Sequence, residues 1–423
     1  MYLSAPAREA APRPTASMKS VVFVAPFFAE TTLRFVSAVS LTEGVRTTLV
    51  SQEPASKVPP ALRSRLADHV QVSDALDPRV VLQAVEDVRR KTGHKVDRLI
   101  GTLEELQVPL GEVRDELGIP GMGAEAGRNF RDKARMKSVL RAHGLPCARH
   151  ALAHTPADAL AFVEAVGFPV IVKPQAGSGS RGTHRLSSPD DLASCLRSMP
   201  PSTKRPLVFE EFIVGEEHSF DSITIGGRPV WYSINDYLPG ALEVVREPWI
   251  QWCVLLPREV DDPRYDGIKR IAADALTALG MDTGMSHMEW FHRPDGSVAI
   301  SEVGARPPGA RFVHLISWAH DFDLFRAWAD VVIHARFTPR PRPYAAGAAY
   351  LRGQGTGRVA GVRGLEVLSE LEPIIVEKRI PAPGQPTSGT YEGEGYIIVR
   401  HPETAVVRDA LARIVSTVRV ELE

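Results

Sequence analysis

The chain has 423 residues, 44% hydrophobic and 24% charged, with 50 Lys and Arg against 51 Asp and Glu. That length asks for roughly two to four domains, and the charge balance leaves no global field for nucleic acid or an anionic membrane. Three cysteines without C-x-x-C spacing argue against a disulfide framework or a cysteine zinc site, and no apolar run reaches the ~18 residues of a membrane span; a soluble, cytoplasmic protein with no nucleic-acid or membrane partner is expected.

Residues 1–18, rich in Ala and Pro, read as a disordered tail, since they lack the continuous apolar segment of a signal peptide. The strand SVVFVAPF, a helical stretch from Leu33 to Leu41 and the strand TTLVS form a βαβ opening. VDRLIG and the helical ELQVPLGEVRDELG repeat the alternation, so residues 19–126 are expected to form an N-terminal open parallel sheet. Ala25-Pro26-Phe27 stands after the first strand where a dinucleotide fold needs glycines, so that role is not expected. RNFRDKARMKSVLRAHGLP, residues 127–145, reads as one basic helix stopped by Gly144 and Pro146, with Phe130, Met136 and Leu140 on its buried side. It opens a second unit, 127–215, with a helix around Ala157 to Val166, the strand FPVIVKP, a glycine-rich segment, a helix capped at Ser188-Pro189 and the strand PLVFEEFI. A third unit, 216–336, carries several strands and helices at 264–279 and 318–334. After the connector FTPRPRPYA, the 337–423 unit has short strands and a final helix starting near Pro402.

The glycine-rich segment VIVKPQAGSGSRGTHRL carries Gly177, Gly179 and Gly182, which satisfy both G-x-G-x-x-G and the first half of a P-loop. A P-loop needs Lys-Ser/Thr after its last glycine, whereas Thr183-His184 follow here and Lys173 precedes. A Rossmann turn must run into a helix, yet THRLSS reads as extended. The order is therefore strand, glycine loop, strand: a flap whose N–H groups can fold over phosphates, or an ordinary Gly/Ser hairpin.

HMEWFHRPDGSVAISEVGARPPGARF, residues 287–312, reads as a hairpin turning at Arg293-Pro-Asp-Gly-Ser. Glu289 and Glu302 stand at comparable distances from the turn, so pairing brings two carboxylates side by side. A divalent cation removes their repulsion, and Mg²⁺ is the natural choice because it takes a few carboxylates plus phosphate oxygens. The alternative is a solvated pair bonded to lysines elsewhere.

In order along the chain, VDRLIGTLEELQVPLGEVRDELGIPG, RDKARMKSVLRAHGLP, FPVIVKPQAGSGSRG, VFEEFIVGEEHSFD, ISEVGARPPG and YLRGQGTGRVAGVRGLE resemble the ATP-grasp superfamily, in its carboxylate–amine ligase branch of L-amino-acid ligases and carnosine-synthase-like enzymes. The resemblance runs from Ser20 onward. It implies an α/β protein, α+β in its ATP-grasp part, with an N-terminal open parallel sheet, a two-part nucleotide-binding centre and a small C-terminal lid domain. Its implied cofactors are ATP and Mg²⁺, two ions, with Mn²⁺ able to substitute. Lys133 and Lys173 would contact the phosphates, and Gly177, Ser178, Gly179, Ser180 and Gly182 would close over them. The backbone of Glu211, Phe212 and Ile213 would bind adenine, with Glu210 near its amino group and Glu217 on the ribose hydroxyls. Glu289 and Glu302 would hold the metal, Arg306 would stabilise the transferring phosphoryl group, and Gly309 would let the backbone approach it. Gly304 replaces an Asn common two residues after the second metal-binding carboxylate, removing one side-chain ligand. Trp249, Trp252, Tyr232, Asp236 and His287 fall where such ligases build the acceptor pocket, though aromatics there also serve as core. Arg311 would bind a substrate carboxylate or a surface acid.

The implied reaction joins a small-molecule carboxylate to an amine, amino acids foremost, through an acyl phosphate, giving an amide or dipeptide; a homodimer is compatible with it. The alternatives are a carboxylase-like or purine-biosynthetic enzyme using bicarbonate or formate, and a non-catalytic ATP-binding regulatory module. The intact Glu289, Glu302 and Arg306 speak against the last.

Overall fold

The computed structural model describes residues 18–176, 182–247, 250–390 and 392–423. Near the N-terminus, four short strands form a parallel sheet in the order Asp68–Gln71, Val45–Ser51, Lys19–Val24, Arg98–Ile100. Val21, Val22, Phe23 and Val24 are fully buried because helices cover both faces of the sheet, which is why that strand is apolar without alternation. The helix Pro78–Thr92 shows how locally the ends are written: Asp77 accepts from the Arg79 N–H, Pro78 opens the helix and Gly93 closes it at φ 67°.

Two helices expected as single rods are each broken. The basic helix is two, Ala124–Arg131 and Lys133–Ala142, because Asp132 leaves helical geometry and caps the second helix by accepting from the Ala134 and Arg135 N–H groups. The helix expected at 318–334 is likewise two, Phe312–His320 and Leu324–His334; Asp321 adopts φ 53°, and Asp323 caps the second by accepting from the Arg326 N–H.

A small antiparallel sheet has the order His150–Ala153, Leu207–Glu211, Val170–Pro174, His184–Leu186. Residues of the helices Pro156–Val166 and Pro189–Ser198 share its core, with Phe162, Val163, Leu192 and Cys195 packed against Val170, Val172 and Phe209. The largest sheet has eight strands and runs across residue 337. Val298–Gly304, Gly284–His292, Glu216–Ile225, Arg228–Leu238 and Cys253–Leu256 are followed by Ala345–Leu351, Gly395–His401 and Ile375–Arg379. Ala345–Leu351 is buried at every residue, and a Cβ on Gly347 would meet Leu411 Cδ1 at 2.6 Å, so only glycine admits the helix Thr404–Thr417 so close. The Pro/Arg connector is exposed along most of its length but pinned at one residue: Arg342 is buried and donates to the Ile234 and Pro257 carbonyls.

Candidate active site

The small sheet, the hairpin end of the large sheet, the segment 236–243 and Glu104 of the N-terminal unit line a cavity of about 630 Å³. The expected pairing register holds: Glu289 lies directly opposite Glu302 across the hairpin, with a bulge immediately after Glu289. Glu302 also takes a lysine. Because Asp132 breaks the basic helix, Lys133 begins the second one, and its Nζ sits 2.7 Å from Glu302 Oε1. Lys133 and Lys173 hold the Glu302 carboxyl down at about 2 although burial alone would raise it.

On the facing small sheet, Lys173 Nζ is 2.9 Å from Glu210 Oε1 and Lys137 Nζ is 3.4 Å from Glu210 Oε2. Lys137 also donates to the Ser301 carbonyl at 2.8 Å. Burial would raise the Glu210 carboxyl, but the two ammonium groups outweigh it and keep it below the usual range. Burial lowers Lys137, whereas for Lys173 the same cost is overcome by Glu210 and Glu302, so its ammonium is held above the usual lysine value.

Arg306 reaches across to the N-terminal unit. Its Nε and Nη2 both donate to Glu104 Oε2 at 3.1 Å, while Arg131 donates to Glu104 Oε1 at 3.0 Å. His287 Nδ1 is 2.7 Å from Oδ1 of the buried Asp221, which also accepts from Asn235 and Ser219 on Oδ2. Burial disfavours the imidazolium, yet Asp221 and Glu289 outweigh it and raise His287 to about 9. Glu217, buried beside Glu289, is pushed up to about 8, and its Oε2 accepts from the Ala241 N–H at 2.7 Å.

Lys133, Lys173, Glu210, Glu211, Phe212, Ile213, Glu217, His287, Glu289, Glu302, Arg306 and Gly309 thus share one cavity wall. Gly177, Ser178, Gly179, Ser180 and Trp249 lie outside the described residues. Gly182 has φ +71° and packs against Pro174. In the segment expected to bind adenine, the Glu211 and Phe212 N–H groups are taken by the Arg149 and Pro169 carbonyls, and the Glu211 side chain pairs with Arg149. Trp252 stacks on Tyr350 in the core and lines the cavity; Tyr232 stacks on Phe220; Asp236, also on the lining, is held by His218, Arg264 and Tyr265. Arg311 stands away from this wall, with Nη2 2.9 Å from Glu30 Oε2 and its guanidinium over Tyr396.

Lys137, Glu104 and Asp221 escaped the sequence reading. Lys137 stands four residues after Lys133, on one helix face, and Glu104 follows the carboxyl end of a parallel strand, where open sheets gather ligand groups; these were the usable signals. Among the described residues no group of three or more His, Cys, Asp or Glu side chains is placed to hold a metal ion. Two carboxylates alone suit a hard cation that completes its shell with phosphate oxygens and water.

The ATP-grasp family model matches residues 138–315. An L-arginine-specific L-amino acid ligase of Bacillus subtilis is 26% identical over 278 residues, covering 64% of this chain and 66% of that relative, so the chain spans less than two thirds of its length. The crystal structure of an L-amino acid ligase from Bacillus licheniformis superposes with a TM-score of 0.76 at 18% identity, covering 97% of this chain and 100% of that one. An N5-carboxyaminoimidazole ribonucleotide synthetase from Thermotoga maritima gives 0.69 at 16% identity over 96% and 100%.

Proposed function

We propose that this chain, an ATP-grasp protein with the α/β fold its sequence led us to expect, is an ATP-dependent carboxylate–amine ligase that forms an amide or dipeptide through an acyl phosphate. The observation that carries the reading is the convergence on one cavity of Lys133, Lys173 and Arg306 with the facing pair Glu289 and Glu302. A carboxylate is a poor electrophile toward an amine in water. Transfer of the γ-phosphoryl group of ATP to it forms a P–O bond, releases ADP and leaves an acyl phosphate; the amine then attacks the acyl carbon and expels phosphate.

Such transfer depends on positioning and charge neutralisation more than on a protein nucleophile. Glu289 and Glu302 would hold Mg²⁺, two ions with Mn²⁺ able to substitute, which when bound neutralises phosphate oxygens and orients them. Lys133 would exchange Glu302 for phosphate oxygens, Lys173 would reach them from its pair with Glu210, and Arg306, aligned by Glu104, would face the transferring group. Glu210 keeps Lys173 placed and charged, the Glu211–Ile213 segment would bind the base, Glu217 the ribose, and the Gly177–Gly182 flap would exclude water from the acyl phosphate. His287, a cation beside Glu289, suits a substrate carboxylate. Amino acids are the favoured carboxylate and amine, given the ligases among the relatives.

Phosphate release from ATP and Mg²⁺ with pooled amino acids and small carboxylic acids, read together with mass spectrometry, tests this. A new mass equal to two substrates minus water is expected. Release that depends on bicarbonate or formate instead would move the protein to the purine-biosynthetic type that its fold also resembles. ATP binding without release in any pool would point to a regulatory module.

A further inference from the structure

Among the described residues, Arg185 stands on the cavity wall without an acidic partner. Arg185 belongs to the edge strand His184–Leu186, where it lies opposite Ile171, and Ile171 in turn lies opposite Glu210. Directly opposed residues point to the same face of a sheet, so the three form one row, and all three line the cavity. Lys173, two residues on from Ile171, stands in the next row, about 6.6 Å along the strand. The Arg185 guanidinium lies over the Phe212 ring at 4.2 Å from its centroid, which holds its plane in place. Its Nε is buried with no hydrogen-bond partner, and among the described residues Arg185 enters no ion pair.

A buried donor without an acceptor is costly unless a ligand supplies one. The phosphate end of the cavity already has Lys133, Lys173 and Arg306; Glu210, at the far end of the Arg185 row, is taken by Lys173 and Lys137, and the apolar side chains of Ile171, Phe212 and Val214 line the same cavity. We infer that Arg185, steadied by Phe212, contacts the nucleobase of the bound nucleotide, stacking on the ring and donating to one of its acceptor nitrogens. This rests on the ATP-dependent reading and deepens it: Arg185 becomes a determinant of base affinity, separate from the residues that bind phosphate.

The test measures binding rather than turnover, using MgATP and, as a ligand without a base, magnesium tripolyphosphate. R185M should weaken MgATP binding about tenfold and leave tripolyphosphate within about twofold. F212A should follow it, because the guanidinium loses its support, whereas K173M should weaken both ligands. R185K, which keeps the charge without the planar stack, guards against a loss of folding in R185M and should resemble it. Unchanged MgATP binding in R185M and R185K, or an equal loss for both ligands, would overturn the assignment. Failure of the unaltered protein to bind either ligand would overturn the ATP-dependent reading itself.

Discussion

Lys133 and Glu302, 169 residues apart in the chain, meet at 2.7 Å on the cavity wall, so the carboxylate assigned to the metal is the partner of a lysine assigned to phosphate. Nucleotide and cation would enter together by exchanging partners: the lysine moves to phosphate as the carboxylate takes the ion. E302Q removes the anion and is expected to lower kcat by roughly 100-fold or more while part of the ATP affinity remains, a loss of the size seen when one transition-state charge contact is removed. Steady-state kinetics with a direct ATP-binding measurement separates the two effects; full activity in E302Q would sink the metal assignment.

The two lysines on Glu210 differ in purpose. Lys137 is buried and held between Glu210 and the Ser301 carbonyl, so its contribution is to the fold of the site. K137M leaves Glu210 with Lys173 alone and should destabilise the protein by roughly 1–3 kcal/mol. In K137M/E210Q the two losses should be less than additive, with a coupling of roughly 0.5–3 kcal/mol. Denaturant unfolding of the four proteins measures it, and strict additivity would deny the pair.

Glu104 aligns Arg306 and Arg131 from outside the ATP-grasp match. Loss of that alignment should act on the chemical step more than on ATP binding. We expect E104Q to reduce kcat about 10- to 100-fold, equivalent to roughly 1.4–2.7 kcal/mol of barrier, with KM for ATP nearly unchanged. A raised KM at constant kcat would instead place Glu104 in ground-state binding.

His287 makes stability depend on pH with a definite sign. Its folded value of about 9 lies above the unfolded value near 6.5, so its contribution is complete below about pH 6.5 and is lost as pH rises through 9. The contribution is on the order of 3 kcal/mol or less, from the gap between the two values. H287N should therefore cost most stability at pH 6 and least at pH 10, as read from denaturant midpoints across that range. A pH-independent cost would mean that the Asp221 contact acts without the charge.

What the sequence determined by itself was what short-range physics encodes. The hairpin is closed by Arg293-Pro-Asp-Gly-Ser, which sets its two strands side by side, while the bulge that skips Ser301 is what brings Glu289 opposite Glu302. The cap at Ser188, the parallel opening sheet and the final helix were legible for the same reason, since each depends on neighbours a few residues away. Only the tertiary structure decided that Asp132 would leave the helix to cap the next one and aim Lys133 at Glu302. It alone decided that Lys137 and Arg342 would be buried, that Glu104 would find Arg306 202 residues later, and that strands on both sides of residue 337 would share one sheet. A charged side chain carries no local sign of whether it will be solvated or paired; burying it is tolerable only when the fold brings the opposite charge to the same place.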